Sequence, residues 1–230
     1  MEDYLRAIYI LAEREGTVTT TRLAEYLNVA PPSVTGMLKK LARLRLVHYT
    51  RYRGVTLTRG GRRIALEVIR HHRLLELFLM EALGYDWDEV HAEADRLEHA
   101  ISEALEERIA AMLGHPAYDP HGDPIPTRSG EIPIPASQRL SEVPLGMACE
   151  VLRVTDEAST LRQAARAGLR PGVRVIVEGW VPGAGLRVRV GEQAYEIRRG
   201  LAEHIFVRVS SPESPSETMS DATAANSDHF

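Results

Sequence analysis

Two short stretches concentrate side chains that bind transition metals: RHHRLLE at residues 70–76 and HAEADRLEH at residues 91–99. In the first, His72 and Glu76 stand four apart, so on a helix both project from one face. In the second, a helix turning about 100° per residue places Asp95, Glu98 and His99 with His91 inside an arc of roughly 100°. Imidazole nitrogens and carboxylate oxygens are the donors that divalent first-row metals accept. A single ion does not span this stripe, because His91 and His99 lie ~12 Å apart along such an axis while metal bonds are about 2 Å long. Two sites follow: Asp95, Glu98 and His99 for one, His91 with His72 and Glu76 for the other. Solvated helix surface would use the same residue types, and spacing alone leaves both readings open.

The elements that must position these groups read from the N-terminus. Tyr4, Leu5, Ile8, Leu11 and Ala12 recur at helical spacing, and Gly16 ends that helix. Thr19 to Thr21 offer hydroxyl caps for a short helix, TRLAEYL, and Pro31 or Pro32 stands where a first helical turn tolerates a missing N–H. The next helix, SVTGMLKKLARLR, turns Val34, Leu38 and Leu41 inward and Lys39, Lys40 and Arg43 outward. LVHYTRYRGVTLT then alternates as two short strands around Arg51, Arg53 and Gly54. This order predicts a winged helix-turn-helix over residues 1–64.

Residues 65–133 predict a helical metal-binding and dimerisation domain. Three helices are expected between Thr58 and about Leu113, with GYDWDE breaking the second from the third. Ile64, Val68, Leu74, Leu75, Phe78 and Leu79 cover more surface than one small domain needs, which suggests a helix-helix dimer. Six prolines between 114 and 139 suggest a connection, with a linker at 134–149. Beyond it, VRVIVEGW, LRVRVG, AYEIR and HIFVRV predict a small SH3-like β-barrel over 150–209, and a Ser- and Pro-rich disordered tail over 210–230. The fold class is therefore mainly α with β.

Charge is strongly segregated along the 230 residues, whose total is only -4. Residues 1–64 hold 12 Lys and Arg against 5 Asp and Glu; residues 65–133 hold 5 against 15. No acidic residue occurs between Glu25 and Glu67. Such a basic segment implies a polyanion partner, double-stranded DNA for this motif order. The single cysteine, Cys149, excludes an intramolecular disulfide framework and reads as a small buried hydrophobe. Neither a membrane-spanning run nor a signal peptide is expected, and the predicted location is cytoplasmic.

From Glu2 to about Val209 the chain resembles the diphtheria toxin repressor family of iron- and manganese-dependent transcriptional regulators, in the manganese transport regulator-like variant with a C-terminal SH3-like domain. The matching segments are EDYLRAIY, APPSVTGMLKKLARLRLV, RHHRLLELFL, GYDWDEVHAEADRLEHAISEALEERI and GDPIP. The resemblance implies a repressor of metal homeostasis with two metal sites per subunit. The primary site would use Asp3, Asp95, Glu98 and His99, and the ancillary site His72, Glu76 and His91. To the latter the SH3-like domain would add Glu157, with Thr160 or Gln163 beside it. Iron-responsive members place Met and Cys where this chain has Asp3 and Asp95, and two carboxylates make a harder site that suits Mn²⁺. Manganese-type members also carry a Glu at the position of Arg6, and its replacement here keeps Fe²⁺ as a competitor.

An ion joining Asp3 of the first helix to ligands of the dimerisation region would fix the spacing of two recognition helices in a homodimer on operator DNA. Pro32, Ser33 and Thr35 open the recognition helix and are expected at base edges. Gly36 lacks the polar side chain of many members, which shifts weight to shape readout. Lys39, Lys40, Arg51 and Arg53 are expected at phosphates. Two other classes compete. A metalloenzyme would need a nucleophile or base beside the ligands, and no such companion or small organic substrate site is evident. A metal-free sensor of an organic ligand would bind its operator regardless of chelator.

Overall fold

The computed structural model of the chain describes residues 1–50, 53–133 and 135–209. Helix α1 (Glu2–Glu15) buries Leu5, Ile8 and Leu11 and stops at Gly16, whose φ of 79° few other residues adopt. Helix α2 (Thr20–Leu27) starts under the Thr19 hydroxyl, which accepts the Arg22 N–H at 3.1 Å, and ends on left-handed Asn28. Helix α3 (Pro31–Arg43) follows with its prolines in the first turn and Val34, Leu38 and Leu41 fully buried. Strands β1 (Val47–Thr50) and β2 (Gly54–Leu57) pair antiparallel as the wing. Val55 donates to the Val18 carbonyl at 2.9 Å, which ties the wing to the start of the motif.

Helix α4 (Arg59–Leu83) is one continuous rod of 25 residues rather than two helices. Thr58 sets its start: its hydroxyl accepts the Gly61 N–H while donating to the Arg45 carbonyl. Gly61 is required there, since a Cβ would meet the Leu46 carbonyl oxygen at 2.0 Å. Two cores share this rod. Leu66 and Ile69 close the core of the DNA-binding motif, whereas Leu74, Leu75 and Leu79 pack with helix α5 (Val90–Leu97) and helix α6 (Glu103–Met112). GYDWDE therefore separates the first helix of this region from the second, not the second from the third. Val68, Leu74, Leu75 and Leu79 are buried within the chain, so the expectation that they form a dimer contact is corrected. The stripe spanning His91 to His99 is also interrupted: α5 stops at Leu97, and the Ser102 hydroxyl caps α6 by accepting the Leu105 N–H.

The proline-rich segment runs back along α4 instead of hanging free. Ile125 is buried, Arg73 and Arg70 donate to the carbonyls of Pro124 and Pro126, and the Trp87 indole donates to that of Pro120. Proline offers no N–H, so only its carbonyl needs a partner, and these donors supply one.

The C-terminal unit begins earlier than expected, at strand β3 (Gln138–Arg139). Leu140, in a 3₁₀ turn at Leu140–Glu142, is fully buried in the unit's core together with Val143. Strand β4 (Ala148–Val154), helix α7 (Ala158–Arg166), strands β5 (Arg174–Val181), β6 (Gly185–Val190) and β7 (Gln193–Ile197), helix α8 (Arg199–Glu203) and strand β8 (Ile205–Val209) complete it. The sheet is antiparallel in the order β3-β8-β4-β5-β6-β7, with register shifts in β4 and β5 that bend it around Leu161, Leu169 and Val188. Residues 210–230, expected to be a tail, lie outside the described residues, as does Arg51. Among the described residues no helix is long and apolar enough to cross a membrane.

Candidate metal centre

Asp3 stands in the first turn of α1, and the turn after α5 holds Glu98 and His99 against it. His99 Nε2 lies 2.5 Å from Asp3 Oδ1 and 3.4 Å from Glu98 Oε1, so the three form one group across the two domains. Glu2 flanks it, 2.7 Å from His99 Nδ1. Asp95, expected in the same set, turns elsewhere: its Oδ1 accepts from Arg6 at 2.8 Å and lies 3.3 Å from His72 Nδ1. Arg6 also donates to both oxygens of Glu98 at 2.9 Å, which places a guanidinium between the carboxylates of Asp95 and Glu98. Glu98 is 2% exposed, and burying its charge is tolerable because Arg6 and His72 both face it.

A second group lies deeper. His72 and Glu76, one turn apart on α4, meet His91 of α5: His72 Nε2 is 2.8 Å from Glu76 Oε1 and 3.0 Å from His91 Nδ1. The C-terminal unit contributes Asp156, whose Oδ2 lies 2.5 Å from His91 Nδ1. Glu157, expected here, is instead the exposed residue that precedes α7, and the one-residue difference in register turns it outward. Thr160 is buried within α7 and Gln163 bonds the Ser159 carbonyl; neither belongs to the group. His121, fully buried, comes from the proline-rich segment and lies 3.7 Å from Glu76 Oε2. Gly122 makes that approach possible, because a Cβ there would strike the Leu152 carbonyl oxygen, and Val154 donates to the His121 carbonyl. Asp119 Oδ1 accepts the N–H groups of His121 and Asp123, fixing the turn.

The electrostatics of this group are those of opposed charges out of water. Burial opposes protonation of the imidazoles, yet Glu76 and Glu98 hold His72 up to about 9. Against the same burial, Asp156 and Glu76 raise His91 to about 10, and Glu76 and Asp156 raise His121 to about 10. Burial would raise Glu76, but His72, His121 and His91 hold it well below the usual carboxylate range. Three buried atoms still lack a hydrogen-bond partner: Glu76 Oε2, His121 Nδ1 and Asp156 Oδ1. His121 Nδ1 stands 3.7 Å and 3.8 Å from the other two. Ligand atoms on one ion with bonds of about 2.1 Å sit roughly 3.4 Å apart in tetrahedral geometry, so the orphaned trio fits a divalent cation.

In the DNA-binding motif, Pro32, Ser33, Lys39, Lys40 and Arg53 are exposed, as base and phosphate contacts require. Thr35 is half-buried and its hydroxyl donates to the Pro31 carbonyl at 3.1 Å, which leaves less of it for a base. Asp156, His121 and Arg6 stand against these groups and were not among the residues the sequence suggested. For Asp156 the signal was one position from the residue chosen, and for His121 it lay in HGDP, a turn sequence read as connection.

Family models match in three blocks: an iron dependent repressor N-terminal DNA binding domain at residues 1–55, an iron dependent repressor metal binding and dimerisation domain at 58–127, and a FeoA domain at 138–209. The iron-dependent repressor IdeR of Mycobacterium tuberculosis is 36% identical over 200 residues, covering 81% of this chain and 86% of that protein. The diphtheria toxin repressor of Corynebacterium efficiens is 33% identical over 190 residues, covering 76% and 80%. A manganese-dependent transcriptional repressor solved in complex with manganese superposes with a TM-score of 0.84 at 39% identity, over 91% of this chain and 99% of that one. Motif order, the shared cluster between α1 and α5, and these matches agree: the chain belongs to the iron-dependent repressor family, the metal-dependent transcriptional repressors that include the diphtheria toxin repressor.

Proposed function

We propose that this chain is a Mn²⁺-activated repressor, with Fe²⁺ as the competing activator, that binds operator DNA as a homodimer. One observation carries the reading: Asp3 of the DNA-binding domain meets Glu98 and His99 of the dimerisation domain in one ligand group. A divalent ion supplies there the positive charge that three acceptors of two domains share. Asp3, Glu98 and His99 hold the primary ion, with Asp95 alongside. His72, Glu76, His91, His121 and Asp156 hold the ancillary one. Oxygen-rich donors favour Mn²⁺ over softer-ligand ions.

α1 packs on α4 and α2, so fixing Asp3 fixes where the recognition helix α3 stands relative to the dimer axis. Leu105 and Met112, seven apart on α6 and 46% and 59% exposed, share one stripe and supply apolar surface for the second subunit. Lys39, Lys40 and Arg53 from two subunits give about six phosphate contacts, for which operator affinity falls roughly 10³-fold between 50 and 200 mM salt.

Operator binding measured anaerobically with Mn²⁺, with Fe²⁺ and with chelator tests the whole reading. Chelator abolishes binding, Mn²⁺ restores it, and Asp3→Ala or His99→Ala loses the metal response while keeping the helical spectrum. Metal stimulation unchanged in both variants sinks the primary-site assignment; activation by Fe²⁺ but not Mn²⁺ reverses the order of metals.

A further inference from the structure

A third group of ligand-type side chains stands between α4 and α6, sharing no side chain with the two sites above. Glu67 and His71 are one turn apart on α4, Glu103 and Glu106 three apart on α6, and single donor atoms of Glu67, His71 and Glu103 lie within 4.8 Å of one another. His71 is 8% exposed. Its Nδ1 lies 3.2 Å from the backbone carbonyl of Glu98, the arrangement that orients a metal-binding imidazole and leaves Nε2 free to coordinate. Nε2 is buried and makes no hydrogen bond. Glu106 Oε2 stands 2.9 Å from it, at ion-pair distance, while Glu106 Oε1 accepts from Arg70 at 2.6 Å.

Two carboxylates brought this close repel unless a proton or a cation lies between them. Burial, followed by the Glu103 carboxylate, raises Glu67 above its ordinary value, with His71 and Arg63 opposing. Arg128 approaches Glu103 only from the solvent side of an exposed pair, at 3.6 Å. Glu67, Glu103 and Glu106 border a cavity of about 840 Å³ that five arginines, Arg70 among them, also line.

We propose that Glu67, His71 and Glu103, backed by Glu106, form a third divalent-cation site that ties α6 to α4. One nitrogen with two or three carboxylate oxygens suits Mn²⁺, Fe²⁺ or Zn²⁺. The competing arrangement is a plain ion pair of protonated His71 with Glu106, and arginine would serve that pair as well as histidine while being unable to ligate.

Full-length protein dialysed against Mn²⁺, with bound metal counted per subunit, separates the two. His71→Arg, and separately the pair Glu67→Gln with Glu103→Gln, each hold one equivalent fewer than the unaltered chain. The Mn²⁺-induced rise in Tm shrinks in both. His71→Arg decides if the carboxamide pair does not fold, because it preserves the contact with Glu106. An unchanged metal count in folded His71→Arg overturns the site. The difference between chains is the readout, and because His71 also faces the Glu98 carbonyl, the equivalent lost by the carboxamide pair, which shares no side chain with the other two sites, is what assigns the missing ion to this group.

Discussion

Arg6 carries a permanent positive charge into a space bounded by Asp95, Glu98 and His72, and what surrounds it shows how closely these groups balance. His72, His91 and His121 ionise near 9 to 10 in the fold against an ordinary 6.5. Their protonated pairs with Glu76 and Asp156 therefore stabilise the metal-free chain fully below pH 6.5, and that contribution is lost as pH rises through 9 to 10. Glu76 has the opposite sign: its contribution is present above about 4.5 and is lost as pH falls through its depressed value. In chelator the Tm accordingly declines from pH 6.5 upward, while Mn²⁺ affinity at this group climbs over the same range as protons cease to compete. Affinity that stays flat between pH 6.5 and 9 refutes the assignment of these imidazoles as ligands. At this scale the spacing of His72 and Glu76, four apart on one helix, does bring the two side chains together. The sequence failed where a turn decides which side chain faces inward, as at Asp156 and Glu157.

Helix ends, rather than helix faces, set the positions of Asp3, Glu98 and His99. α5 stops at Leu97 because Ser102 captures the next N-terminus, and only a chain leaving the helical path brings His99 to Asp3. Removing that cap by Ser102→Ala costs about 1 kcal/mol. It weakens Mn²⁺ binding at the Asp3 group more than at the His91 group, a difference that titration of each site resolves. Gly61→Ala forces α4 off the Leu46 carbonyl, for an overpacking cost of about 1–3 kcal/mol read as a lower Tm. The unmodified Tm in that variant contradicts the close approach. Periodicity showed α1, α2, α3 and the wing, since each has its own cap or breaker. α7 and α8 escaped because short helices inside a strand-rich region carry little periodic signal.

Across the whole molecule, the C-terminal unit is joined to the metal-binding domain through the ancillary group itself. Asp156 reaches His91, and the core of the unit takes in Trp87 and Met80 from the helical region. Asp156→Ala thus lowers Mn²⁺ occupancy of that group, whereas Glu157→Ala leaves it unchanged; the reverse result would restore the sequence-based choice. The order of domains and the segregation of charge were legible from composition and motifs alone. The early start of the C-terminal unit was not, because Leu140 and Val143 are buried by strands that lie far ahead of them in the chain.

Trp87 donates its indole N–H to Pro120, its ring centroid lies 5.3 Å from that of His121, and the only other tryptophan, Trp180, is 44% exposed on strand β5. The protein consequently carries a native optical gauge: a paramagnetic ion settling beside His121 dims one buried emitter and spares the solvent-facing one. Loading of the inner compartment becomes visible in blue-shifted fluorescence without any added dye.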